Sequence, residues 1–448
     1  MIQQISNYIR EMVNSEFYRN IAGLFSGIFA ARLIPALFAL VIARLYSPED
    51  FGVFVLFLSI ASLLSIFTTG SYERALLLGD NLQEKQHIFR FSLKNNLIIN
   101  GIIISGIILY IFLFDKSDIE SGIMLLLIPV FAFFFGGLQL IRNILISNKL
   151  FRKLWVLEVI RALATGIMQT LFFVIPETGL FLGIVMAQIV TFVFFFSKLP
   201  ETQEFRLGAY QKRELVLARR YVNFPKYSVP SEFFNYLSSQ LPVFMIKPFF
   251  GSIMLGLYSF SHRYLSIPVQ LTSISIGSVY VQKAQSLKKL PKELALLTFE
   301  LFRKQFLLAI IPFTVLALWG NSIFSLAFGS EWAFSGTLGQ LISPWLFVVF
   351  IGSPLANILV VMEKQKISMI FNIVMLFFRA LALTIGGIIL KDIALAIALY
   401  SLVGFVFFSL LTVYSLRLAR VNLAKAFWFS FKTILIVVLP LILIKLWF

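Results

Sequence analysis

The stretch "ARLIPALFALVIARLYSPEDFGVFVLFLSIASLLSIFTTG", residues 31–70, carries parts of two apolar runs joined by one short polar turn. Each run has the length a helix needs to cross the hydrocarbon core of a bilayer, about 20 residues. The turn contains its own helix-start signal. Ser47 is suited to cap a helix, Pro48 to its first position, and Glu49 and Asp50 to a first turn whose free backbone N–H groups favour negative charge. Arg32 is the discordant residue, because it stands near the middle of a span expected over 20–45. A cation there costs from about 2.5 to more than 10 kcal/mol. It therefore calls for a buried carboxylate, a kink such as Pro35 can create, or a polar cavity.

The same pattern recurs along the 448 residues, 59% of which are hydrophobic, with a mean hydropathy of +0.91. This excludes a soluble domain and marks an all-α polytopic membrane protein. Spans are expected near 20–45, 51–78, 89–114, 120–147, 152–175, 178–198, 226–249, 253–281, 302–327, 336–362, 366–390 and 392–416, and a thirteenth over 427–447. The net charge of +17 is spread over alternate connections, "NKLFRK" (148–153), the segment ending at Lys226, "QKAQSLKKLPKEL" (282–294), "EKQK" (363–366) and "RLARVNLAK" (417–425). Connections at 115–120, 176–179 and 329–336 are short and poor in Lys and Arg. The alternation places the N-terminus and the basic loops in the cytoplasm and explains the charge without nucleic acid, for which no motif is present. With no cysteine and with His87 and His262 far apart, neither a disulfide framework nor a metal centre is expected, and no cofactor is implied. The first twenty residues lack the form of a removable signal peptide.

The longest hydrophilic break, 199–225, separates two sets of six spans. The expected division is an N-terminal lobe (1–198), a cytoplasmic linker (199–225), a C-terminal lobe (226–416) and a basic loop with the extra span (417–448). An offset of about 204 positions lays Phe51-Gly52-Val53-Phe54 on Leu255-Gly256-Leu257-Tyr258, each after an external turn. This is the pattern of a parallel repeat, two lobes around a central substrate path.

The run "ARLIPALFALVIARLYSPEDFGVFVLFLSIASLLSIFTTGSYERALLLG", with "LGLYSFSHRYLSIPVQLTSISIGSVYVQKA" and "FGSEWAFSG", resembles the polysaccharide-biosynthesis flippases called Wzx. These belong to the multidrug/oligosaccharidyl-lipid/polysaccharide exporter superfamily. The resemblance implies a bacterial inner-membrane transporter, not an enzyme. Its substrate would be an undecaprenyl-diphosphate-linked oligosaccharide, moved from the cytoplasmic to the periplasmic leaflet for O-antigen or a related surface polysaccharide. It further implies a monomer in contact with membrane lipids, working with a polysaccharide polymerase and a chain-length regulator. Twelve spans are usual in such proteins, so the run 427–447 departs from the pattern. A cation-coupled drug exporter of the same superfamily and an integral-membrane glycan polymerase or ligase are the alternatives.

Intramembrane polar groups recur at helical spacings of three, four and seven, which collects them on one face of a helix. Glu158, Arg161, Thr165 and Gln169 form such a stripe, as do Ser228, Glu232, Asn235 and Ser239, then Ser259, Arg263, Ser266, Gln270 and Ser273, and more sparsely Ser368, Asn372 and Arg379. Arg32, Arg263 and Arg379 are the deepest cations, and a guanidinium matches a diphosphate with paired donors. Nearer the cytoplasmic surface Glu73-Arg74, Gln139, Arg142, Asn143 and the Glu158–Arg161 pair suit a vestibule for the headgroup. The substrate-binding set is thus Arg32, Arg263, Arg379, Arg161, Arg142, Arg74, Asn372 and Gln270, and Glu73, Glu158 and Glu232 are the coupling or ion-pair candidates. Lys247 reads as a residue snorkelling to the outer surface, and His262 as a structural residue facing away from Arg263.

Overall fold

A computed structural model describes residues 16–79, 81–114, 119–198 and 210–447, and among these every regular element is helical. The expected all-α membrane fold is what forms, with eleven described helices long and apolar enough to cross a bilayer. Helices are the form this composition demands, because lipid offers no hydrogen bonds and each segment must satisfy its own backbone. The chain groups into two compact units, Met1–Tyr46 with Phe54–Gln240, and Ser47–Val53 with Leu241–Phe448. The division falls after Gln240, beyond the 199–225 linker, of which 199–209 lie outside the described residues, as does most of the 115–120 connection.

The first unit contains α1 (Glu16–Leu45), most of α2 (Pro48–Thr69), α3 (Leu82–Phe114), α4 (Ile119–Ser147), α5 (Phe151–Leu171), α6 (Pro176–Phe196), α7 (Lys212–Arg220) and α8 (Val229–Ser239). α2 ends nine residues short of the expected span 51–78. Gly70 and Ser71 both adopt left-handed backbone angles, φ 62° and 54°, and end the helix in a 3₁₀ turn, Tyr72–Leu77. Glu73 and Arg74 are thereby lifted out of the span into a turn. Edge-to-face rings knit the interior, Phe57 lying 5.0 Å from Phe181 and 6.0 Å from Phe131. Such contacts matter here because lipid tails are as apolar as the helices, so close packing rather than burial selects the arrangement. A second cluster, which includes Tyr72, Phe89, Ile141, Leu154, Phe195 and Tyr221, ties the ends of α3 to α6 to the 3₁₀ turn and to the residue after α7.

The second unit holds α9 (Leu241–Ser286), α10 (Pro291–Phe328), α11 (Ala333–Ala356), α12 (Ile358–Val361), α13 (Gln365–Thr384), which continues into a π turn at Ile385–Leu390, α14 (Ile393–Leu418) and α15 (Leu423–Trp447). α9 breaks at Gly251, φ 84° and ψ −179°, which is where the turn between the expected spans 226–249 and 253–281 belongs. The span expected over 226–249 is itself interrupted at Gln240, since Pro242 has no N–H for the carbonyl four residues earlier. The Lys247 ammonium donates to the Ser252 hydroxyl across the Gly251 break.

The segment Ser47–Val53 behaves as its sequence predicts. Asp50 accepts from the Ser47 backbone N–H at 3.0 Å and hydroxyl at 2.7 Å, while the Asp50 N–H donates back to the hydroxyl at 3.2 Å. The two glycines aligned as a repeat face one another within the second unit. A β-carbon on Gly52 would stand 1.9 Å from the Ser252 carbonyl oxygen, and one on Gly256 would stand 1.8 Å from that of Pro48. Phe51 then reaches edge-on to Phe260 at 5.3 Å and to the buried Trp332 at 5.9 Å. The thirteenth expected span is a helix, α15, packed against α10 through Phe429, whose ring lies 5.6 Å from Phe306 and 6.3 Å from Phe302.

Candidate functional site: a polar cavity in the first unit

The 3₁₀ turn after α2 faces α8. Glu232, in the first turn of α8, accepts from the Ser71 hydroxyl at 3.1 Å and pairs with the Arg74 guanidinium at 2.9 Å. A cavity of about 830 Å³ opens beside this pair. α2 contributes Ser62, Ser65 and Thr69 to its wall, the turn Glu73 and Arg74, α4 Gln139, Arg142 and Asn143, and α8 Glu232, Asn235, Tyr236 and Ser239. On the α4 side Arg142 Nε meets Glu158 at 3.3 Å, and Glu158 also holds Arg161 at 3.0 Å, the i,i+3 pair legible in the sequence. The cavity arginines stay reachable, their side chains being 51% exposed at Arg74 and 45% at Arg142, while the carboxylates that hold them are more buried.

Glu73 differs from the other acids. One of its oxygens, Oε2, is buried and has no hydrogen-bond partner among the described residues. Burial, reinforced by the neighbouring Glu232, holds its carboxyl above the ordinary glutamate range, although hydrogen bonds from its own backbone and from Thr69, and the charge of Arg74, pull the other way. Arg74, Arg142 and Arg161 thus share this end of the unit with the ion-paired Glu158 and Glu232 and with the raised carboxyl of Glu73.

Six of the sequence candidates, Glu73, Arg74, Arg142, Glu158, Arg161 and Glu232, are thus gathered at or beside one cavity. The others are placed elsewhere. Arg32 is exposed on α1. Arg263 is half-buried on α9, where Gln270 is exposed and donates to Ser266 at 3.3 Å; Asn372 is exposed on α13. Arg379 is enclosed by rings, its guanidinium 4.3 Å from the centre of Trp345 and 4.6 Å from that of Tyr400. Gly404 makes the room, since a β-carbon there would meet Arg379 Nη2 at 2.4 Å. Arg379 Nε and Nη2 are buried with no acceptor among the described residues. Cation–π attraction, not a carboxylate, is what compensates this charge. His262 joins the group, stacked 5.7 Å from both Tyr258 and Trp345.

Two buried features went unseen in the sequence. Lys94, inside α3, is bound by Glu214 of α7 at 3.0 Å, the two side chains being 6% and 0% exposed. Asn100 donates to the Asn96 carbonyl and side-chain oxygens, both at 2.8 Å. A lysine and two asparagines within an apolar run are the available signal, but their partners are not adjacent in the hydropathy profile.

The chain matches the family described as "polysaccharide biosynthesis protein" over residues 41–335. No curated protein sequence matches it. Among solved structures it is similar to the lipid II flippase MurJ in an inward closed conformation, with a TM-score of 0.68 and 13% identity over 92% of this chain and 91% of that one. It is also similar to an inward-facing multidrug-resistance MATE transporter of the MOP superfamily, with a TM-score of 0.60 and 14% identity over 91% and 96% of the two chains. A MOP-superfamily transporter from Pyrococcus furiosus matches with a TM-score of 0.59 and 12% identity over 92% and 98%. At such identities the likeness concerns the fold.

Proposed function

Because the chain belongs to the polysaccharide biosynthesis protein family, we propose that it is a flippase that carries an undecaprenyl-diphosphate-linked oligosaccharide from the cytoplasmic to the periplasmic leaflet of a bacterial inner membrane. The observation that carries this reading is a polar cavity of about 830 Å³ in an apolar helical unit, with two half-exposed arginines each restrained by a carboxylate. A diphosphate offers the same kind of acceptor as those carboxylates. It can therefore displace Glu232 from Arg74 and Glu158 from Arg142 without leaving either guanidinium unpartnered, and release reverses the exchange. The polyprenyl tail remains in lipid while phosphates and sugars travel by alternating access, so only the polar headgroup needs shelter. Arg32, Arg263, Arg379, Gln270 and Asn372 are the proposed contacts along the rest of the path. Basic loops and N-terminus face the cytoplasm in this scheme, and a polymerase with its chain-length regulator takes the product from a monomeric transporter outside.

Complementation of cells that lack their own flippase tests the reading. Arg74→Ala/Arg142→Ala should abolish surface glycan at unchanged membrane abundance, and the paired lysine substitutions should restore only part of it. Wild-type glycan in the double alanine variant would contradict the reading. The acids of the same cavity, Glu73 and Glu232, favour cation-coupled export as a second reading. Proteoliposomes that extrude a cationic dye against a proton gradient, and lose this with Glu232→Gln, would select it.

A further inference from the structure

α7 presents two unlike faces. Glu214, Leu217 and Ala218 turn toward the rest of the first unit, where the Lys94–Glu214 pair and a hydrogen bond from the Tyr72 hydroxyl to the Ala218 carbonyl oxygen, 3.1 Å, fix the helix alongside the opening turns of α3. Glu214 also accepts from the Gln211 backbone N–H at 2.9 Å, so one buried carboxylate both starts the helix and anchors it. Arg220 is engaged as well, pairing with Glu84 at 3.0 Å. At 100° per residue the opposite face carries Lys212, Val216 and Arg219 along its centre, flanked by Arg213 and Leu215. All five are exposed, and the three cations form no ion pair among the described residues. Val216 is 58% exposed, and Val222, just past the helix, 49%. Water alone gives no reason for aliphatic side chains on the outer face of so charged a helix. A lipid headgroup layer does, because methyl groups can enter the acyl boundary while the cations meet phosphates.

We infer that α7 is a docking helix for the anionic phospholipid of the leaflet that borders this end of the first unit, with Lys212, Arg213 and Arg219 binding headgroup phosphates and Leu215 and Val216 inserted between them. The occupant is a bilayer surface rather than a protein because α7 lies along the opening turns of α3, between Glu84 and Lys94, where this long apolar helix passes from charged to uncharged sequence. The charge is complementary to anionic lipid and the pattern alternates basic with aliphatic residues. Docking fixes the height of the membrane against the turn that bears Glu73 and Arg74, since Tyr72 of that turn is bonded to α7.

The test uses the full chain in nanodiscs, with one cysteine introduced as Val216→Cys, which is unambiguous because the native sequence has none. An environment-sensitive fluorophore at this position is read against spin-labelled phospholipid, in phosphatidylcholine alone and in phosphatidylcholine mixed with phosphatidylglycerol. Quenching should strengthen with phosphatidylglycerol, the apparent affinity rising roughly fivefold for each cation engaged, and should weaken at high salt. Lys212→Gln/Arg213→Gln/Arg219→Gln should remove the dependence on anionic lipid, while exchanging Lys and Arg at the same positions should keep it. Equal quenching in both lipids, or an unchanged dependence in the triple glutamine variant, would overturn the inference. So would shielding of the fluorophore from a water-soluble quencher without any quenching by lipid, which would mean that a protein surface covers the helix. No substrate is involved, so a failed flipping reading would leave this result standing.

Discussion

Arg74 and Glu73 are adjacent in sequence and opposite in character. Arg74 is half-exposed and paired, whereas Glu73 turns an unpartnered carboxyl oxygen inward. A carboxyl whose native pKa lies above its unfolded value favours folding at low pH and loses that contribution as pH climbs from about 4.5 through the raised native value. Glu73→Gln should therefore match the wild type in thermal stability near pH 4 and exceed it at pH 7.5; lower stability at the higher pH would refute the assignment. At Arg379 the rings set the terms. Gly404→Ala should cost about 1–3 kcal/mol by overpacking, and Trp345→Leu should release the guanidinium and lower the melting temperature further than the loss of ring area alone. Sequence spacing made the Glu158–Arg161 pair legible because both residues share one helical turn. It could not reveal Glu232 as the partner of Arg74, which depends on where α8 packs.

Among the elements, α7 is held by its least exposed pair. Lys94→Met leaves Glu214 charged, buried and without its ammonium, a change that typically costs about 3–5 kcal/mol. Replacing Glu214 by Leu as well should restore most of this, short of the ~1 kcal/mol helix cap that Glu214 also supplies. Thermal unfolding, together with protease sensitivity at Arg219, distinguishes the variants. If the double variant were as unstable as Lys94→Met, the ion pair would not be the latch. The helices of the two glycines leave no room at all. Gly52→Ala directs a methyl group at the Ser252 backbone carbonyl, which cannot rotate away, so a sharp fall in folded protein is expected. The capped turn at Ser47 was readable because it is local chemistry. The early end of α2 was signalled by Gly70 but obscured by the apolar residues after it, which hydropathy counts as span although a 3₁₀ turn buries Leu76 against the first unit.

For the whole molecule, hydropathy anticipated thirteen apolar segments, and the described helices occupy each of them because membrane thickness and backbone hydrogen bonding leave few other solutions. Which polar residues converge is a matter of packing between distant segments, and there single-helix stripes identified the α2, α4 and α8 wall of the cavity only in part. The sidedness proposed from charge is measurable because the chain is free of cysteine. A cysteine at Lys289 should resist an impermeant thiol reagent in intact cells, and one at Ser330 should react; the reverse would overturn the proposed orientation. The central claim, that the first unit's arginines carry a lipid-linked diphosphate across, is tested most directly by flipping itself. Purified protein is reconstituted with fluorescent undecaprenyl-diphosphate oligosaccharide, and the labelled lipid that becomes accessible to an impermeant quencher is followed over time. Wild-type protein should expose the inner-leaflet pool, with Arg74→Ala/Arg142→Ala slower by roughly tenfold or more, the loss of at least one charged hydrogen bond. Equal rates for the two proteins, or no movement by the wild type, would contradict it.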